Sequence, residues 1–223
     1  IRVLVYPEAF QLSGGNFSFT EWDPNTAERI YPSNMLFLQS DVNDPGLSQD
    51  LKYAYYINHD DYHADDQGTI GYPYNNTGRT RLNGLGENGI SFINTGRGRD
   101  LGGTLVALNT QGQSAVYIRF LCGTILQNSR IYAIRLQYRI GTTGSFSDIG
   151  SSGNPVAYLA QTDGDFEIFE GIELPSDALN QDYIQILWKY YFVSGSSGSR
   201  AQLSLDNISI GSLPLSVSEW SLY

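Results

Sequence analysis

Strict alternation in two runs constrains this chain more than any other feature of its sequence. In Ile131–Ile140, Tyr132, Ile134, Leu136, Tyr138 and Ile140 alternate with Arg135, Gln137 and Arg139. In Tyr183–Val193, Ile184, Ile186, Trp188, Tyr190 and Phe192 alternate with Gln185, Lys189 and Tyr191. A period of two puts successive side chains on opposite faces of a strand, so each run has one apolar face for a core and one face of Arg, Lys, Gln and Tyr. A helix would need apolar residues three and four apart, and no long stretch of that kind occurs.

Further strands are expected at Asn16–Thr20, Asn34–Gln39, Tyr53–Ile57, Arg79–Asn83, Gly89–Asn94, Thr104–Asn109, Ala115–Leu121, Pro155–Leu159, Phe166–Leu174 and Arg200–Ile210. Between them lie turn-rich pieces such as Leu12–Gly15, Asn75–Gly78, Gly141–Gly144, Gly150–Asn154 and Ser194–Ser199. The one helical turn expected is near Ser176–Asn180, where Pro-Ser-Asp forms a weak start signal. About a dozen short strands joined by Gly, Ser and Asn loops make the pattern of a β-sandwich or barrel, with no internal repeat. The 24 Gly, 16 Tyr and 10 Phe suit strands and tight turns. The 223 residues fit one such domain, expected over residues 1–212, with 213–223 as a tail or linker toward a further domain.

Net charge is −10. That field repels a phosphate backbone and an anionic lipid surface, so nucleic acid is not the expected partner. No run of about eighteen apolar residues occurs, so no helical membrane insertion is expected. Cys122, the one cysteine, sits in an apolar run and is expected to be a buried, inert thiol. The Gly-x-Ser-x-Gly elbow, His-Glu-x-x-His and the phosphate-binding Gly-Lys-Ser/Thr loop are all missing. Gly96-Arg97-Gly98-Arg99 reads as a basic surface loop, because no helix pattern follows it.

If Ala115–Leu121 neighbours the two alternating runs, one sheet presents Tyr117, Arg119, Arg135, Gln137, Arg139, Gln185, Lys189 and Tyr191 together. Planar aromatic rings stack on sugar faces, and Arg and Gln forks hydrogen-bond hydroxyls or carboxylates. The plainer alternative is a solvated sheet with cross-strand polar pairs. The densest polar cluster is Asn58–Asp66, with His59, His63 and four Asp. It is either a solvated acidic loop or a divalent-ion site, and it lacks the spacing of a known Ca²⁺ loop. In Leu203–Ile210, Asp206-Asn207 breaks the alternation, and an inward carboxylate there needs a partner or a cation. Glu21 and Asp23 lie near the other end of the chain.

The opening Asn16-x-Ser18-Phe19-x-Glu21-Trp22 and the closing Leu203-x-Leu205-Asp206-Asn207-Ile208-Ser209-Ile210 resemble the first and last strands of bacterial jelly-roll carbohydrate-binding modules. The resemblance implies a two-sheet antiparallel β-sandwich, a jelly roll of the concanavalin or carbohydrate-binding-module type. It also implies a structural Ca²⁺ shared by Asp206 with Glu21 or Asp23. The blocks Tyr74–Thr95, Tyr132–Arg139 and Trp188–Gly195 look like a module of large secreted Bacteroidetes-type multidomain proteins. Leu213–Val217 is similar to the linker that precedes a type IX sorting domain in such proteins. That second resemblance implies a secreted or cell-surface location on a Gram-negative bacterium and covalently linked neighbouring domains.

The function expected is non-catalytic binding of a polysaccharide through the aromatic and basic sheet face or adjoining loops, with Trp22 and Trp220 as spare aromatics and Trp188 in the core. A structural or adhesion spacer without a small ligand is the first alternative. The second is a jelly-roll lyase or hydrolase using Arg135, Lys189, Tyr191, His59 or His63. Carboxylate pairs such as Asp163/Asp165 and Glu167/Glu170 are the weakest enzyme signal, since paired acids are common in an acidic domain.

Overall fold

The computed structural model describes residues 6–23, 32–39, 80–94 and 101–212. The expected strand Tyr53–Ile57, the Asn58–Asp66 cluster with both His, Gly96–Arg99 and the tail at 213–223 with Trp220 lie outside the described residues.

The described strands are β1 (Phe10–Gln11), β2 (Phe17–Phe19), β3 (Met35–Gln39), β4 (Thr80–Gly84), β5 (Ile90–Asn94), β6 (Leu101–Asn109), β7 (Tyr117–Leu126) and β8 (Ile131–Ile140). They continue with β9 (Ser147–Asp148), β10 (Gly150–Ser151), β11 (Asn154–Pro155), β12 (Ala157–Leu159), β13 (Phe166–Glu173), β14 (Ile184–Ser194) and β15 (Gln202–Gly211). Single 3₁₀ turns sit at Leu12–Gly14 and Ser176–Ala178, the second where the helical turn was expected.

Sheet I runs β1–β6–β14–β8–β12, with β3 also on β6 and β9 also on β8. Sheet II runs β13–β7–β15–β5–β4, with β2 also on β15. β10 and β11 form a separate small hairpin. The principal strands are β5, β6, β7, β8, β12, β13, β14 and β15. Counted one to eight along the chain, they lie in the orders 1-8-3-6 and 2-7-4-5. That is the strand order of a jelly roll, two Greek keys folded into one double sheet. The pairings among these eight are antiparallel, and β1 is the strand laid parallel on its neighbour.

The apolar sets predicted for the two long runs meet between the sheets. Tyr132, Ile134 and Leu136 of β8 and Ile184, Ile186, Trp188 and Tyr190 of β14 are buried against Ile118, Phe120 and Cys122 of β7. Trp188 meets Phe120 edge-on at 5.7 Å, and the Tyr190 ring stacks on Tyr132 at 4.6 Å and on Phe92 at 5.7 Å. The Tyr190 hydroxyl donates to the Ala201 carbonyl at 2.7 Å, so this large ring is buried without stranding its polar end. Trp22, expected as a spare surface aromatic, is instead a core residue packed against Phe37 at 4.4 Å. Cys122 is buried, and burial pushes its thiol well above the usual range, as suits a structural residue.

The break in alternation at Asp206-Asn207 is a β-bulge. Asp206 pairs with Leu121 and Ser209 with Arg119, so β15 has one residue more than β7 over that span. Asn207 takes a left-handed φ of 50°, a conformation Asn tolerates better than most residues. The extra residue flips the phase of the strand, and Leu203, Leu205, Ile208 and Ile210 all end in the core. β13 carries a matching bulge on the other side of β7, where Gly171 has a φ of 65° between Phe169 and Ile172.

Candidate functional site

β8 and β14 are neighbours at the centre of sheet I, and their register decides which polar side chains meet. Arg139 is paired with Gln185, Gln137 with Leu187, and Arg135 with Lys189, while Tyr191 lies one step further along. Paired residues share a face, so six of the eight side chains expected to act together do share the outer face of sheet I. Tyr117 and Arg119 do not join them. They lie on β7, and a jelly roll places β7 in sheet II, on the far side of the sandwich. There Arg119 is buried, with its Nε 3.6 Å from the Glu170 carboxylate in the β13 bulge.

The polar layer on sheet I is mostly covered. Gln185 is 0%, Lys189 and Gln137 2%, and Arg139 4% exposed. Part of the cover comes from the connection after β8, which turns at Gly141 and Gly144, both with positive φ, and returns as β9 beside Gln137 and Tyr138. Its Phe146 lies under the Arg139 guanidinium at 4.5 Å, and Tyr6 lies 5.8 Å away. Arg139 donates from Nε to Gln185 Oε1 at 2.7 Å and from Nη1 to the Gly144 carbonyl at 3.1 Å. Such charge-assisted bonds make a buried guanidinium tolerable.

The accessible part of the layer surrounds Arg135. Its Nε lies 3.1 Å from Asp148 Oδ1, with the two side chains 21% and 41% exposed. Gln137 Nε2 donates to the same Asp148 oxygen at 2.9 Å. The Tyr191 ring lies 5.8 Å from the Arg135 guanidinium and 5.4 Å from the Lys189 ammonium. Burial pushes the Tyr191 phenol above its usual range while Arg135 pulls it the other way, so the ring is a neutral platform at physiological pH. Exposed Leu159 of β12 borders the same corner. Two strongly basic side chains, an aromatic ring and amide donors together can hydrogen-bond hydroxyls and carboxylates and stack on an apolar sugar face.

Asp148, Phe146 and Tyr6 were missed from sequence. Ser147-Asp148 follows the Gly141–Gly144 turn and reads as loop, and two residues are too few to show alternation. A groove of about 750 Å³ lies beside the β10–β11 hairpin, floored by Ile149, Val156, Ile172 and Leu174, with Glu173 and Ser176 on its lining. Nearby, the Tyr138 hydroxyl donates to Asp177 at 2.9 Å; burial and that carboxylate push the phenol up to about 12.

Asp206 is buried in the β15 bulge and accepts the Asn207 amide at 2.6 Å. Burial raises its carboxyl above the usual range, and the amide bond offsets this in part. β15 pairs with β5 up to Leu205 and with β2 from Ile208, so Asp206 stands where the strand changes partner. The β2 pairing ends at Ile208–Phe19, two residues short of both Asp206 and Glu21. Glu21 and Asp23 are exposed and flank Trp22, whose amide and carbonyl bond to Gly86. Among the described residues no three His, Cys, Asp or Glu side chains converge. A buried, charge-penalised carboxylate fits one ligand of a cation, and further oxygens would have to come from backbone, Glu21, Asp23 or water.

Neither a protein-family model nor a curated protein matches the sequence. Several solved structures show a distant likeness, among them two carbohydrate-binding modules and a phage tailspike domain. A family 61 carbohydrate-binding module in complex with β-1,4-galactotriose is 13% identical, with a TM-score of 0.32, over 58% of this chain and 73% of that one. The family 11 carbohydrate-binding module of the cellulosomal cellulase Lic26A-Cel5E of Clostridium thermocellum is 14% identical, with a TM-score of 0.32, over 60% of this chain and 81% of that one. The enzymatically active domain of tailspike protein 4 of bacteriophage CBA120 is 9% identical, with a TM-score of 0.34, over 81% of this chain but only 20% of the tailspike chain. Likenesses this distant leave the jelly-roll assignment to rest on the strand order.

Proposed function

We propose that this chain is a non-catalytic module that binds a polysaccharide on the outer face of sheet I. In this reading it belongs to a secreted or cell-surface protein of a Gram-negative bacterium and is covalently joined to further domains. The observation that carries the reading is the Arg135–Lys189 pair, set directly opposite one another over the Tyr191 ring. Like charges directly opposite across two strands cost stability, and acidic domains have little reason to gather them without a use. A structural Ca²⁺ at Asp206, completed by Glu21 or Asp23, is part of the same proposal; it would bind the start of the domain to its last strand.

The test is retardation in native gels cast with neutral and acidic polysaccharides, with and without EDTA, followed by an assay for released reducing or unsaturated ends. Retardation without product, lost in Arg135→Ala while the melting temperature holds, supports the module. Product release would replace it with an enzyme.

A second reading has its own observation. Most of the polar layer is covered, and bonds such as Arg139 to Gln185 and Gly144 serve the fold itself. A spacer or adhesion domain would need no more than that. Failure of every polysaccharide to retard the protein would favour it.

A further inference from the structure

Asp148 sits as a bound carboxylate would. Its Oδ1 accepts from Gln137 Nε2 at 2.9 Å and lies 3.1 Å from Arg135 Nε, an ion pair in which Nε is left without a hydrogen-bond partner among the described residues. A guanidinium charge and an amide donor beside one carboxylate oxygen are groups a protein uses to hold an acid, and the unpartnered Arg135 Nε is a donor that a ligand oxygen could accept from. The carboxylate stands next to the point where Arg135 and Lys189 oppose each other, the place an anion stabilises most. Buried Phe146 and Ile149 hold the backbone on either side of the two-residue β9, while the Asp148 side chain is about twice as exposed as that of Arg135, so the carboxylate can swing out to solvent with the backbone in place. Finally, Gln137 Oε1 is buried and has no hydrogen-bond partner in the structure. A buried acceptor left this way is costly, and a ligand hydroxyl beside the carboxylate position would donate to it.

We propose that the site takes a carboxylate-bearing glycan, a polyuronate, and that Asp148 occupies the position of the ligand's carboxylate until the ligand displaces it. The inference rests on the polysaccharide reading and narrows it. The chain's net charge of −10 repels a polyuronate at long range, so the affinity comes from these local donors. Asp148 then acts as an internal competitor. Removing its charge while keeping its shape abolishes the ion pair and leaves Arg135 for the ligand.

The experiment measures dissociation constants for a polygalacturonate and a neutral galactan with the wild-type protein, Asp148→Asn and Arg135→Gln, with melting temperatures to confirm folding. Asp148→Asn is expected to tighten polygalacturonate about fivefold, the worth of one partly exposed ion pair, and to leave galactan unchanged. Arg135→Gln is expected to abolish the difference between the polymers. Competition by free galacturonate but not galactose in the wild-type protein gives a readout that needs no variant. The inference is overturned if Asp148→Asn leaves polygalacturonate binding unchanged or weaker. Equal competition by the two sugars also overturns it. Binding of galactan without binding of polygalacturonate would sink the uronate assignment and leave the polysaccharide reading standing. Binding of neither polymer would sink the uronate assignment, and the polysaccharide reading would fall with it only if the whole gel panel also failed to retard the protein.

Discussion

The outer faces of the two sheets, built from the same kind of alternating strand, meet solvent in opposite ways. On sheet I, charged and amide side chains of β8 and β14 lie under cover, tied to one another and to the β8–β9 connection. At the edge of sheet II, apolar side chains of β13 lie open, with Phe166 at 64% and Ile168 at 46% exposure. Alternation predicts which residues share a face, but what lies over that face depends on where the loops return. The bulged edge strand β13 offsets its apolar exposure with Glu167, Glu170 and Glu173, charges that discourage another strand from pairing there.

Substitutions at four positions probe that contrast. The largest effect is expected from Phe146→Ala, which removes a buried ring from beneath Arg139. It should cost about 3 kcal/mol in urea unfolding; a cost below about 1 kcal/mol would show that the cover over sheet I is not part of its packing. Asn207→Val in the β15 bulge should cost about 1–2 kcal/mol, because a β-branched residue resists a φ of 50°, whereas Asn207→Gly should be close to neutral. If the valine and glycine variants unfold alike, the bulge does not persist in solution.

Asp206→Asn is expected to have a smaller and pH-dependent effect of opposite sign. A carboxyl raised by burial binds its proton more tightly in the folded state than in the unfolded one. The wild type therefore loses stability as pH rises from the ordinary carboxylate value of 3.8 through the raised one. In EDTA at pH 7 the variant should melt a few degrees higher, with the gap closing at or below pH ~3.8. Added Ca²⁺ should stabilise the wild type alone if the ion binds there. A variant that melts lower in EDTA at every pH would mean that the Asn207 amide bond outweighs the burial of charge. The smallest effect belongs to Phe166→Ser on the open face, within about 0.5 kcal/mol. A larger loss would show that Phe166 packs against something.

Much of the fold is legible in the sequence, because a core between two sheets writes itself as alternation. Ile131–Ile140 coincides with β8 to the residue, and the neighbouring β14 differs from its expected span by one residue at each end. Even the defect at Asp206-Asn207 can be read, since two apolar pairs out of phase require one extra residue between them. The site is less legible, for a topological reason. Ala115–Leu121 has the same polar-apolar pattern as the two central runs, yet a strand cannot say which sheet it enters. In 1-8-3-6 and 2-7-4-5 order, strands adjacent in sequence mostly fall in opposite sheets, so Tyr117 and Arg119 part from Arg135 and Lys189. Asp148 belongs to a two-residue return strand and Phe146 immediately precedes it, and nothing in so brief a segment marks where it will land.

The placement of β15 has a consequence for how the molecule forms. It fills the gap between β5 and β7 and also carries β2, so residues near position 18 finish against residues near position 209. A chain lacking Gln202–Gly211 has no centre to sheet II, and its core residues have one wall missing. Pairings separated by almost the whole sequence are slow to find, and all-β domains of high contact order fold over milliseconds to seconds. During synthesis Ile118, Phe120 and Cys122 therefore lack part of their packing until β15 has emerged.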